Sequence, residues 1–241
     1  MMESTTRDHF FDGHIILNQP KAGYRFSIDA VILAHMVDPT AGETVLDMGT
    51  GCGVIPVMLA YRHPDLRLIG VEIQRSLCRL ARQNVADNRM SDRIDILHGD
   101  MVRLQAADIG GPVDLVVTNP PYRKQGSGRV NADSQKAVAR HEMKINLDSL
   151  LRTARRMLNP SGRLAIIYPS VRAVDLISAL RSIGLEPKKL TMIHSRQDSP
   201  AQLVAVEATK GGRPGLGVGP PLAVYHRDGS YTQDVAAMFS G

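Results

Sequence analysis

Two short segments carry residue types whose spacing suits one reaction. The first is Asp47-Met48-Gly49-Thr50-Gly51-Cys52-Gly53, at the end of a strand-like run from Thr44 to Met48. Glycines let a chain turn tightly and let a ligand lie against bare backbone, and open α/β sheets bind ligands at the carboxyl ends of their strands. Asp47, inside the strand end, can accept a hydrogen bond or ion pair from a cationic amino group. The amino acid moiety of S-adenosylmethionine supplies one. A dinucleotide site is the competing reading, but its fingerprint is G-x-G-x-x-G with pyrophosphate at a helix N-terminus. Here the third glycine comes one place early, Val54 stands where the fingerprint needs glycine, and Asp47 would repel a pyrophosphate. The loop points to a methyl donor.

The second segment is Thr118-Asn119-Pro120-Pro121-Tyr122, after the apolar run Val113 to Thr118. An amide or aniline-type nitrogen is a poor nucleophile because its lone pair is delocalised into the π-system. The Asn119 side-chain oxygen and the Pro120 carbonyl can hold its hydrogens and favour a pyramidal nitrogen with the lone pair free to attack in line. Pro120 and Pro121 fix φ and hold that carbonyl without needing N–H partners. Tyr122 offers a face on which a planar group can stack. Taken alone, a Pro-Pro-Tyr run reads as a loop or polyproline turn. After a buried strand and beside a donor loop, the catalytic reading prevails. Its rate would come from positioning and desolvation, since no general base is evident. A nucleobase target would have to be presented unstacked.

Further candidates surround these two. Glu72 ends the strand-like run Leu66 to Val71 and is placed to accept both hydroxyls of a ribose. Asp100, in His98-Gly99-Asp100-Met101, is placed to accept from an adenine amino group, with the Met101 backbone N–H beside it; an Asp in a loop is also a common turn former. From Arg123 to Asn146 the chain holds six basic and two acidic residues, among them Arg123, Lys124, Arg129 and Arg140. This stretch is either a solvated loop or a flap that contacts phosphates. The eight histidines show no metal spacing, and two cysteines 26 positions apart make no zinc site, so no metal is expected.

Strand-like runs alternating with helical stretches predict an α/β fold with a parallel sheet covered on both faces. Helices are expected at Ile28 to Val37 (amphipathic), Val54 to Arg62, Arg75 to Asn88, Leu147 to Leu158 and Val171 to Ile183. Further strands are expected at Ile94 to Leu97, Arg163 to Tyr168, Leu190 to Ile193 and Gln202 to Glu207. The order matches a Rossmann-like, seven-stranded class I methyltransferase fold with an antiparallel last strand. Residues 1–40 read as a short extension, 41–209 as the core, and 210–241 as a tail with a hairpin at Asp228-Gly229, all within one domain. A length of 241 residues and 43% hydrophobic content suit that fold. The net charge of +5 favours a polyanionic partner only weakly. Few cysteines, a polar N-terminus and no long apolar run predict a cytoplasmic protein without a membrane partner.

With these motifs in hand, the chain resembles the bacterial tRNA1(Val) adenine-37 N6-methyltransferase family. The likeness covers Gln19-Pro20-Lys21 through Gly23-Tyr24-Arg25-Phe26-Ser27 to Asp29-Ala30, the donor loop, Gly70-Val71-Glu72-Ile73-Gln74 and Asn119 to Tyr122. It continues through Gly184-Leu185-Glu186-Pro187-Lys188 and Lys210-Gly211-Gly212. The resemblance implies a class I fold, S-adenosylmethionine as cofactor, and an adenine amine of a tRNA anticodon loop as target. It makes Asn119 and Tyr122 base-holding residues. Asp47, Glu72 and Asp100 carry over as donor contacts, with Tyr24, Phe26 and Ser27 closing over the donor. Gly49, Gly51, Gly53, Ile73, Met101 and Asn119 are also expected to line the donor site.

Three rivals share the core. A methyltransferase acting on a release-factor glutamine would carry a helical N-terminal domain, and only about 40 residues precede the donor loop here, too few for one. An rRNA guanine N2-methyltransferase often has a larger second domain and Phe in place of Tyr122. A DNA adenine methyltransferase would need a target-recognition domain. A non-enzymatic RNA-binding module with a vestigial donor site is opposed by Asp47, Glu72 and Asn119.

Overall fold

In the computed structural model the described residues open with a hairpin that the polar N-terminal sequence did not announce. Strand β1 (Thr5–Phe10) pairs antiparallel with β2 (Ile15–Pro20), Phe10 opposite Ile15. The structure describes residues 5–21, 26–120 and 147–240. Phe11 and Asp12 turn the corner at φ 52° and 55°, followed by Gly13 at 88°. Asp-Gly pairs suit such corners because both residues tolerate left-handed backbone.

Helix α1 (Ile28–Met36) departs from expectation. Ala30, Val31, Ile32, Leu33 and Ala34 are all buried, so it has no wet face at its centre. It lies between the sheet, α2 and the hairpin, and a helix apolar all round is the kind that can be covered on every side.

The central layers follow the predicted alternation. They run β3 (Thr44–Met48), α2 (Val54–Arg62), β4 (Arg67–Glu72), α3 (Arg75–Asp87), β5 (Ile94–His98) and β6 (Val113–Thr118). After residue 146 come α4 (Leu147–Met157), β7 (Leu158–Pro169), α5 (Ala173–Ser182), β8 (Leu185–Arg196) and β9 (Ala201–Lys210). The tail adds β10 (Gly217–Val218), β11 (Leu222–Tyr225) and α6 (Gln233–Ala237). The order across the sheet is β10-β8-β9-β7-β6-β3-β4-β5, with β11 also on β8. β5, β4, β3, β6 and β7 pair in parallel, and β9 is antiparallel to both its neighbours.

Two cores form because strand side chains alternate between faces. Val45, Leu115 and Val117 pack with the hairpin, α1, α2 and α3. Leu46, Met48 and Val116 pack with α4 and α5 on the other face.

Among the described residues the sheet holds nine strands where seven were expected. Several boundaries also differ from the sequence reading. β7 begins at Leu158, not Arg163, and β9 spans ten residues, not six. β8 spans twelve residues, not four; a register shift between Pro187 and Lys189 absorbs the proline, which cannot donate to the ladder. The tail does reverse at Asp228-Gly229, where His226 N–H donates to the Ser230 carbonyl at 2.8 Å. Its second arm is a single bridge, Tyr225 to Tyr231, while β11 runs parallel to β8. Among the described residues no helix is long and apolar enough to cross a membrane.

Candidate functional site

β3 is where the sheet's chain order changes direction, with β4 on one side and β6 on the other. Such switch points open a crevice at the strands' carboxyl ends. Asp47 stands in register with Gly70 and with Val117. Asn119 therefore leaves β6 beside the glycine loop, about one strand spacing (~4.8 Å) away. The Thr118 hydroxyl donates to the Met48 carbonyl at 2.8 Å, tying the two strand ends together. The donor loop and Asn119 thus share one rim.

The loop is held from β4. Gly49 and Thr50 N–H groups both donate to the Val71 carbonyl, at 2.9 and 3.0 Å. The Gly51 N–H donates to one Glu72 carboxylate oxygen at 2.8 Å, and the Gln74 N–H to the other at 2.8 Å. Gly53 precedes α2 with φ 85°, and a Cβ there would sit 3.3 Å from Ala81 Cβ. Only glycine satisfies both limits cheaply. At Gly70 a Cβ would come within 2.8 Å of Ile96 Cδ1 and 2.9 Å of the Thr50 hydroxyl. The bare backbone there makes room for Thr50 behind the loop.

Asp47 is 1% exposed, and neither carboxylate oxygen has a hydrogen-bond partner among the described residues. Burial pushes its pKa up to about 7; the Thr50 hydroxyl, outside hydrogen-bond geometry, offsets part of this, and the Glu72 charge adds to it. A dry, unpaired carboxylate is costly unless a cation meets it. Its unused acceptor capacity fits the ammonium of an amino acid moiety. Glu72 is raised by burial and pulled back by N–H groups of Gln74, Gly51 and Ile73 and by His98. Each of its oxygens keeps acceptor capacity for a hydroxyl.

The other expected contacts divide. Ile73 is 42% exposed beside Glu72, an apolar surface on the same rim. Met101 is buried, its sulfur 3.5 Å from where a Gly49 Cβ would be. Asp100 accepts the Val102 N–H at 2.9 Å and lies 3.5 Å from Arg103 Nε, so it shapes its own turn while the second oxygen faces Arg103. Pro120 is buried and Asn119 half-buried at the end of β6. Phe26 packs its ring against Phe10, with centroids 5.9 Å apart. Tyr24, Pro121, Tyr122, Arg123, Lys124, Arg129 and Arg140 lie outside the described residues. No group of His, Cys, Asp and Glu that could hold a metal occurs among the described residues.

Sequence reasoning missed Thr50, Thr118 and Asn84. Asn84 gave a signal, because it falls on the stripe of α3 that also buries Leu77, Ala81 and Val85. A polar residue on an apolar stripe needs a partner.

The sequence model of the methyltransferase small domain matches residues 25–180, spanning the loop, the crevice and Asn119. The chain belongs to this methyltransferase family. A Porphyromonas gingivalis relative named tRNA1(Val) (adenine(37)-N6)-methyltransferase is 35% identical over 185 residues, covering 74% of this chain and 72% of the relative. A relative of the same name from Aeromonas hydrophila is 29% identical, covering 81% and 80%. Among solved structures, one described as a predicted O-methyltransferase from Agrobacterium tumefaciens superposes with a TM-score of 0.68. It is 24% identical, with 87% of this chain and 94% of that one covered, and shows the shared fold. As a member of this family the protein is an S-adenosylmethionine-dependent methyltransferase.

Proposed function

We propose that this methyltransferase modifies the N6 amine of an adenine in RNA, in a tRNA anticodon loop. The observation that carries the reading is the position of Asn119 and Pro120. They leave β6 next to the donor loop, with the Thr118-to-Met48 bond fixing that distance. The names of the relatives, the net charge of +5 and the basic run after Tyr122 support an RNA target over a protein one.

In this mechanism Asp47 holds the donor's ammonium and Glu72 its ribose, with Ile73, Asp100 and Met101 around the adenine ring. The bound donor supplies an electrophilic methyl group on sulfonium sulfur. The Asn119 side-chain oxygen and the Pro120 carbonyl accept the two hydrogens of the target amine and turn its lone pair toward that methyl. Tyr122 stacks on the extruded base. The new N–C bond forms as the S–C bond breaks, and the amine then gives one proton to water. Arg123, Lys124, Arg129 and Arg140 contact phosphates. A cytoplasmic location accompanies this reading, and both cysteines are free and buried.

A competition assay tests it. The enzyme is incubated with radiolabelled donor and equal amounts of unmodified tRNA, rRNA and a release factor. Label should enter the tRNA; preferential labelling of the release factor would replace adenine by glutamine as the target.

A further inference from the structure

β2 has one edge on β1, and its other edge meets no strand among the described residues. Asn84 of α3 and Asn88, the residue that caps its C-terminus, stand in for one. Asn88 accepts the Ile16 N–H at 3.0 Å and donates to the Ile16 carbonyl at 2.8 Å. Asn84 accepts the Asn18 N–H at 2.8 Å and donates to the Asn18 carbonyl at 2.8 Å. Each couple reproduces the two-way exchange of a hydrogen-bonded antiparallel pair. The pitch allows it: an i to i+4 step on a helix rises about 6 Å, against about 6.8 Å between alternate residues of a strand.

The Asn84 side chain has two further contacts, and in the first its oxygen accepts the Asn18 side-chain amide at 3.0 Å. In the second its nitrogen donates to the Cys52 carbonyl at 2.8 Å. Cys52 lies in the donor loop between Gly51, which Glu72 holds, and Gly53, which starts α2. Asn84 is fully buried, so water does not replace its amide if it is removed. Asn88 makes its remaining bond back to the Asn84 carbonyl at the end of α3, at 2.7 Å. Only one of the two clasping asparagines therefore touches the loop.

We infer that Asn84 is a positioning residue for the methyl donor, locking the glycine loop to the N-terminal hairpin through one amide. The hairpin's docking and the donor's affinity are then linked. β2 leads through Pro20 toward Phe26, whose ring rests on Phe10 of β1. Glu72 fixes the loop from the sheet side, and Asn84 fixes it from the helix side.

The test compares Asn84→Ala with Asn88→Ala. Both remove a clasp to β2, and both should lower thermal stability. Only Asn84→Ala should raise the donor dissociation constant, roughly tenfold for one buried carbonyl left unpaired. It should leave kcat at saturating donor and the KM for RNA near the wild-type values. A folded Asn84→Ala protein with unchanged donor affinity, or an equal loss in Asn88→Ala, would overturn the inference. If Asn84→Ala does not fold, amide hydrogen exchange on the wild-type protein decides. Donor should slow exchange at Asn18 together with Gly51 and Gly53. Protection confined to the loop would refute the coupling.

Discussion

Gly51 donates its backbone N–H to the Glu72 carboxylate at 2.8 Å, so the acid that ends β4 is also a structural part of the loop it faces. Its other oxygen accepts the Gln74 N–H at the entrance to α3. One side chain therefore sets the loop and the helix start together, at the edge proposed to hold the donor's ribose.

Replacing Glu72 by Gln should weaken donor binding by about tenfold or more, because an amide N–H₂ must face a backbone N–H in place of one acceptor. Titration calorimetry with S-adenosylmethionine measures this directly. Unchanged affinity in a folded variant would remove Glu72 from the donor site.

Asp47 should make donor binding pH-dependent. Its folded pKa is raised to about 7, and in the proposed mechanism the donor's ammonium pairs with the ionised form. Affinity should climb up to about tenfold per pH unit toward pH 7 and then flatten, below the range near 7.7–8 where an α-amino group loses its own proton. For the donor-free protein the sign is opposite. A raised carboxyl stabilises the fold below its unfolded value, and that contribution is lost as pH rises through about 7. Donor-induced Tm shifts should therefore grow between pH 5.5 and 7 (roughly the span of this titration) and be flat in Asp47→Asn. A growing shift in that variant would contradict the assignment.

Asn119→Ala should leave donor affinity intact and lower methyl transfer by about a hundredfold or more, the scale expected when a reacting group loses its alignment. Calorimetry and single-turnover transfer separate the two effects. An active variant would sink the mechanism.

Neutralising Arg123, Lys124 and Arg129 together should make RNA binding less sensitive to salt. The log–log slope should shrink by about 0.7–0.9 for each phosphate that these side chains no longer neutralise. An unaltered slope would return that stretch to a solvated loop.

The parallel core was legible because its strands are continuous apolar runs and its loops carry glycines at fixed places. Asp47, Glu72 and Asn119 could be placed from their strands alone, since strand ends in such a sheet converge on one crevice. The N-terminal hairpin was not legible. β1, Thr-Thr-Arg-Asp-His-Phe, has no apolar alternation and is held by its partner strand and by packing of Phe10. Asp12-Gly13 was its one local signal. The sequence of α1 suggests an amphipathic helix because its burial on every side depends on that same hairpin. The role of Asn84 was hidden for the same reason, as its partners Asn18 and Cys52 lie 66 and 32 residues away in sequence.

The most direct measurement is the identity of the modified nucleoside. Unmodified tRNA is incubated with enzyme and labelled donor, digested, and analysed by mass spectrometry. N6-methyladenosine is the expected product. A methylated guanine, or no incorporation into tRNA by enzyme that binds the donor, would contradict an adenine N6 target.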